Sequence, residues 1–295
     1  MYTLSTAEIQ MYLHQLGIED IQPPTLTYLV QLHQAHIRRF SWQTVDIFTG
    51  HPASIDLEQS IPLLLSGRSG YCFHLNGAFS ILLRSLGYQV DWHRAGVQPL
   101  GTEPRINSFH LGLTVHIEDE QGVSQPWIID VGLGDMPYTP MPLNHGSYPQ
   151  SPFQYQVTSS SIDPQGWRLE HDARASIVGV DIDHHVVTDL QPFYDNHEFY
   201  SRSPQSPWFD VFLLRQRDEH ASHELRGCML KTIDSTGIQH TEMAKQTDWL
   251  NILHDVFSES LIRYSSVEKD DIWKRVHQAH DQWKKAKNNQ AIHKS

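Results

Sequence analysis

Only two cysteines, Cys72 and Cys228, occur in 295 residues, and neither belongs to a CxxC pair. That excludes a disulfide framework, so each thiol is read as reduced and judged by itself. Long apolar runs are missing as well: nowhere do about 18 apolar residues stand together. The N-terminal MYTLSTAEIQMYLHQLG has no basic patch before an apolar run and no small-residue cleavage site. These absences set aside a membrane span and a secretory leader, and the expectation is a soluble, cytoplasmic chain. Positive charge is scarce, with 22 Lys and Arg against 34 Asp and Glu and a formal charge of −12. Nucleic acid and anionic membrane surfaces are therefore unfavourable partners.

What is present is the composition of a folded protein, with 8 Trp, 11 Tyr and 11 Phe spread along the whole chain. Residues 1–87 carry helical patterning. STAEIQMYLHQLG opens with Ser5 and Glu8 at capping-box spacing and closes at Gly17. TLTYLVQLHQAHIRRF follows, then a short IDLEQSIPLLLSG interrupted by Pro62, then a helix from Cys72 to Gly87. Residues 88–190 change texture: YQVDWHRAGVQ, FHLGLTVHI, PWIIDVGLG, FQYQVTS and GWRLEHD alternate like short strands. Residues 191–295 are mixed, with a loop DNHEFYSRSPQSP, strands WFDVFLLRQR and HELRGCMLKTID, helical TDWLNILHDVF and a last helix before a Lys-rich end. The buried stripe of that last helix is read as Val267, Ile272, Trp273, Val276 and Trp283.

Cys72 falls in the first turn of the helix that follows Ser69 and Gly70. Unsatisfied N–H groups and the positive end of the helix dipole favour a thiolate there. A small buried cysteine with no role fits the position equally, so a partner decides the matter. A base with a third group to orient it is what an activated thiol requires, and His110 and Asp130 are the candidates. A hairpin with a five-residue loop, Glu118 to Gly122, sets Ile117 opposite Val123 and His110 opposite Asp130, on one face. Cross-strand partners lie close enough for a carboxylate to accept from an imidazole. An Asp flanked by apolar WII and VGLG also needs a partner to be buried at all.

The other histidines give no comparable set. His33 with His36, His184 with His185, and His220 with His223 lack the spacing of a closed zinc site, and no metal is expected. Cys228, in LRGCML, is read as a strand cysteine pointing into the core.

RSGYC with Asn76, then SFHLGLTV, then WIIDVGLGD, in that order, resembles the arylamine N-acetyltransferases over about residues 5–260. The resemblance implies an α+β chain with an N-terminal helical bundle (1–87), a central β-barrel (88–190) and a C-terminal α/β lid (191–295) around a cysteine-protease-like, transglutaminase-like core. It implies a catalytic triad of Cys72, His110 and Asp130. Acetyl-CoA is the implied co-substrate, and an arylamine or hydrazine the acceptor. Gly132 and Gly134 fall in the loop where CoA and acceptor are expected to meet, and Trp42, Leu133 and Trp208 at the pocket positions. The chain also departs from the pattern. Ser69 stands where glycine is usual, SWQT (Ser41–Thr44) replaces Pro-Phe-Glu-Asn with loss of a carboxylate, and Leu133 replaces Phe. An amide synthase of the same family acting on a polyketide acyl chain, a cysteine hydrolase and a catalytically silent member remain alternatives.

Overall fold

The computed structural model describes residues 2–119 and 121–292. At its centre lies a helix whose residues from Cys72 to Leu83 are all buried. A helix apolar on nearly every side has to be wrapped by other elements. Around it pack α1 (Thr6–Gln15), α2 (Leu26–Arg39), a single turn α3 (Val45–Phe48) and α4 (Leu57–Leu65), with the central helix itself as α5 (Cys72–Ser85). Ser5 and Glu8 form the capping box of α1, and the Thr25 hydroxyl accepts from the Tyr28 N–H to cap α2. α4 runs through Pro62 instead of stopping there: one lost backbone donor is outweighed by the burial of Ile61, Leu63, Leu64 and Leu65. Between α2 and α3 a short strand β1 (Trp42–Gln43) appears, which the helical patterning of this region hides.

The middle of the chain forms one antiparallel sheet of eight strands. They are β2 (Gln89–Gln98), β3 (His110–Glu118), β4 (Ser124–Ile129), β5 (Met141–Pro142), β6 (Gly146–Gln150), β7 (Phe153–Ser159), β8 (Trp167–Glu170) and β9 (Gly179–Val187). Their spatial order is β5-β4-β3-β2-β9-β8-β7-β6, so the two edge strands are consecutive in the chain. Only residues 143–145 join them, a reach of roughly 14 Å at most, and the sheet must curl until its edges nearly meet. The Gln150 side chain spans the seam, accepting from the Thr139 N–H at 2.9 Å and donating to the Thr139 carbonyl at 3.1 Å.

A second antiparallel sheet follows the helix α6 (Tyr194–Arg202). It comprises β10 (Leu213–Arg217), β11 (Ser222–Arg226), β12 (Met229–Asp234) and β13 (Gly237–Glu242), in the order β1-β10-β11-β12-β13. Trp42 pairs with Arg215, so the N-terminal region supplies one edge of this sheet. α7 (Gln246–Asp255) and α8 (Ser266–Ile292) complete the chain. Two expectations change here. DNHEFYS is helical, because His197 and Ser201 at i, i+4 give α6 a buried face. HELRGCMLKTID is a hairpin of two strands rather than one, turning at Gly227 (φ 60°), and Cys228 sits buried in that turn. On α8, Ile272 and Val276 are buried as expected, whereas Val267 and Trp283 face outward. No helix among the described residues is long and apolar enough to cross a membrane.

Candidate active site

Three elements converge on one point: the start of α5, the start of β3 and the chain just past β4. Cys72 opens α5, and its Sγ lies 3.8 Å from the Phe109 carbonyl, one residue before His110. His110 Nε2 donates to Asp130 Oδ2 at 2.6 Å, and both side chains are almost wholly buried. With Nε2 committed, Nδ1 is the ring atom left for Cys72, and it has no other partner.

The register that brings His110 to Asp130 differs from the expected one. Glu118 pairs with Ser124 and Leu113 with Ile129, so the loop spans residues 119–123 and the position opposite His110 is Gly132. The loop keeps the expected five residues but lies one position later, which shifts the register by two. An even shift preserves the face, so Asp130 becomes a diagonal neighbour still within side-chain reach. Asp119 sets the turn, its carboxylate accepting from the N–H groups of Gln121 and Val123.

Asp130 is fully satisfied despite its burial. Its Oδ1 accepts from the Gly132 N–H at 2.8 Å and from Asn76 Nδ2 at 3.1 Å. The same Asn76 amide donates to the Leu111 carbonyl at 2.9 Å, and its Oδ1 accepts from the Val131 N–H at 2.9 Å. One carboxamide on α5 therefore ties down both strands that carry the His and the Asp. Burial pulls His110 toward the neutral form, but the Asp130 carboxylate and Cys72 outweigh it and push its pKa up to about 10. Burial acts against ionised Asp130 too, yet His110, Gly132 and Asn76 hold it below the usual carboxylate range. Asp130 thus favours the protonated ring beside the Cys72 sulfur.

The glycines of the next loop make room for the protein itself. A Cβ on Gly132 would lie 2.9 Å from the Cys72 Cα, and one on Gly134 (φ 85°) would lie 2.2 Å from the Arg215 Cβ. Leu133 between them is buried in the main core. Trp42 and Trp208 are brought together edge to face, with centroids 5.3 Å apart. Tyr71 and Phe109, each adjacent in sequence to a member of the Cys72–His110 pair, pack against Trp208 at 5.3 and 5.5 Å, and Tyr200 joins at 4.8 Å. The result is an aromatic wall beside the thiol.

Ser69 avoids a positive φ, and its hydroxyl donates to the Ser41 carbonyl, so two of the departures from the family pattern contact each other. The carboxylate missing at Gln43 has a counterpart in Asp46, which pairs with Arg68 and Arg263, each at 2.6 Å. Sequence reading passed over Asp46, and also the pair formed by the Tyr71 hydroxyl and His197 Nδ1. The signal at Asp46 was its place four residues after Trp42 in an otherwise apolar VDIF.

A family model described as N-acetyltransferase matches residues 25–265, ending one residue before α8 begins. Among characterised proteins, the arylamine N-acetyltransferase / N-hydroxyarylamine O-acetyltransferase of Salmonella typhimurium is 34% identical over 140 residues, 45% of this chain and 46% of that protein. The arylamine N-acetyltransferase of Mycolicibacterium smegmatis is 28% identical over 163 residues, 52% of this chain and 56% of that protein. The chain thus spans about half the length of the relatives it matches. In fold it is similar to the Mycobacterium marinum arylamine N-acetyltransferase in complex with CoA, with a TM-score of 0.79 at 21% identity, covering 91% of this chain and 98% of that one. The Salmonella typhimurium structure gives 0.76 at 20% identity, covering 92% and 99%. With the family model covering most of its residues, the chain belongs to the N-acetyltransferase family.

Proposed function

We propose that the protein is an arylamine N-acetyltransferase working by ping-pong transfer. One observation carries the reading: a thiol at the start of a buried helix faces an imidazole whose far nitrogen is held 2.6 Å from a buried carboxylate. In the first half-reaction the Cys72 thiolate attacks the thioester carbonyl carbon of acetyl-CoA. A C–S bond forms, and the N–H groups of Cys72 and Phe73 at the start of α5 are the donors for the oxyanion. The intermediate collapses with release of CoA thiolate, which takes the proton from the His110 imidazolium. In the second half-reaction the nitrogen of an arylamine or hydrazine attacks the acetyl-cysteine. Neutral His110 accepts the amine proton, the C–S bond breaks, and thiolate and imidazolium are restored.

Asp130 keeps the ring oriented throughout and stabilises its charged form. Trp42 and Trp208, with Leu133, form the wall for the acceptor ring. Gly132 and Gly134 are where the family resemblance places CoA and acceptor, and the close packing of Gly132 on the Cys72 backbone supports a site at that loop. Cys72 is only 4% exposed, and a thioester so shielded favours transfer to a bound amine over hydrolysis.

Intact-protein mass spectrometry tests this directly. Mixing with acetyl-CoA should add one acetyl mass, and subsequent arylamine should remove it. No adduct, or an adduct that persists in Cys72→Ala, would overturn the reading. Decay of the adduct in water as fast as in amine would mark a hydrolase instead.

A further inference from the structure

A second cluster, remote in role from the triad, lies on β9. The β2–β9 ladder pairs Trp92 with Val187 and His93 with Val186, then resumes with Ala95 opposite Ile182. Arg94 alone therefore faces Asp183, His184 and His185. In a regular strand His184 and His185 would project to opposite faces. The bulge re-aims them, as bulges do, and the two imidazole rings lie 3.8 Å apart. His185 Nδ1 is hydrogen-bonded to Asp183 Oδ1 at 2.8 Å, and His184 Nδ1, 3.8 Å from the same oxygen, is hydrogen-bonded to Asp163 Oδ2 at 2.6 Å.

We propose that Asp183, His184 and His185 bind a divalent transition-metal ion, Zn2+ being the best match to two nitrogens and one carboxylate oxygen. Donors around such an ion stand about 3.3 Å apart when each is about 2.0 Å from the metal, and the observed separations bracket that spacing. Nδ1 of each ring is the ligating atom, so on binding the ring proton resides on Nε2. The remaining positions are taken by water. Asp183 is 4% exposed and forms the floor, while the His185 side chain is 72% exposed and forms the rim, which leaves the ion a way in.

Neighbouring groups hold the set in place. The Arg94 guanidinium binds the other oxygen of Asp183, leaving Oδ1 directed at the imidazoles. Its charge weakens cation binding, and the Asp163 carboxylate compensates; its Oδ2 accepts from His184 Nδ1 at 2.6 Å, and that proton moves to Nε2 when the ion takes Nδ1. Asp163 belongs to a turn that packs directly on β9: a Cβ on Gly166 would come 2.2 Å from the Ile182 carbonyl. The spacing of ligands along the sequence does not reveal this site, because adjacent histidines converge only when the strand is bulged.

The site owes nothing to the transfer chemistry, and its test is independent of it. Untagged, metal-free protein is titrated with ZnCl2 by calorimetry. The expected result is one saturable equivalent, retained in Cys72→Ala, and a higher melting temperature with Zn2+ present. His185→Ala, at an exposed position, should weaken binding by about tenfold or more, and His184→Ala/His185→Ala should abolish it. Substitution of His220 and His223 by Ala should leave it unchanged. Absence of a saturable equivalent, or one that survives His185→Ala with undiminished affinity, would overturn the proposal.

Discussion

Asn76 stands four residues after Cys72 on α5, on the same side of the helix as the thiol, and its carboxamide contacts Leu111, Asp130 and Val131. It touches no reacting atom, so its role is to position Asp130 and the strand that bears His110. Asn76→Ala is expected to lower kcat by roughly 10²-fold while leaving the KM for acetyl-CoA within a few-fold, because misorientation acts on the reaction and not on binding. Stopped acetylation time courses would show it, and a rise in KM with unchanged kcat would contradict the assignment. Ser69 has a different weight. Its φ is not positive, so the residue is unstrained, and the hydroxyl bonds the Ser41 carbonyl. Ser69→Gly should cost about 1–2 kcal/mol in urea unfolding, from the lost hydrogen bond and the freer unfolded chain. The acetylation rate should stay within a few-fold. A large loss of rate with stability intact would make Ser69 a functional residue after all.

At the level of elements, what was legible followed from periodicity and what was not followed from tertiary contact. The hairpin of β3 and β4 was visible because its strands alternate and its loop is short. Its register came out two residues off, since loop length alone cannot say which residues close the turn, whereas the Asp119 side chain does. The face of His110 and Asp130 survived because the error was even. α6 was invisible because its sequence is mostly polar and is helical only through the burial of His197 and Ser201. β1 is two residues long and exists only through tertiary partners, β10 on one side and Gly70 on the other. The joint between the sheet of β1 and β10 and the eight-stranded one depends on Arg217, which is wholly buried at the end of β10. It donates to the carbonyls of Met136, Gln150 and Ser151 and to the Tyr155 hydroxyl, at the barrel seam. Arg217→Met keeps the volume but orphans those acceptors, and should destabilise the fold by about 3–5 kcal/mol. Equilibrium unfolding in urea measures this, and a loss under about 1 kcal/mol would show that water replaces the guanidinium.

For the whole molecule, buried histidines set the response to pH. Burial, first of all, lowers His33, His74 and His197 to about 4, with His197 adding to the effect at His74 and Arg202 to that at His197. His36 is lowered as well, by burial and by its cationic neighbours. In the unfolded chain all of these titrate near 6.5, so the unfolded state binds more protons between 6.5 and 4. Stability is therefore intact above pH 6.5 and falls as pH drops toward 4. His110 has the opposite sign. Raised to about 10, it contributes stability that is complete below 6.5 and is lost as pH rises through 10. The formal charge of −12 and the isoelectric point near 5.9 act against the histidines on the acid side, by relieving repulsion as pH falls. Those charges are mostly exposed and screened over about 8 Å at physiological salt, whereas each buried histidine must be charged outright in a dry site, so the histidines win. The curve of unfolding free energy against pH should peak near 6.5. It should fall on the acid side with a slope approaching about four protons, or roughly 5 kcal/mol per pH unit at its steepest. Urea titrations between pH 4.5 and 8.5 give this slope, and His33→Gln should flatten the acid limb by about a quarter. A curve that keeps rising down to the isoelectric point would mean that surface repulsion, and not the buried imidazoles, governs how this fold responds to acid.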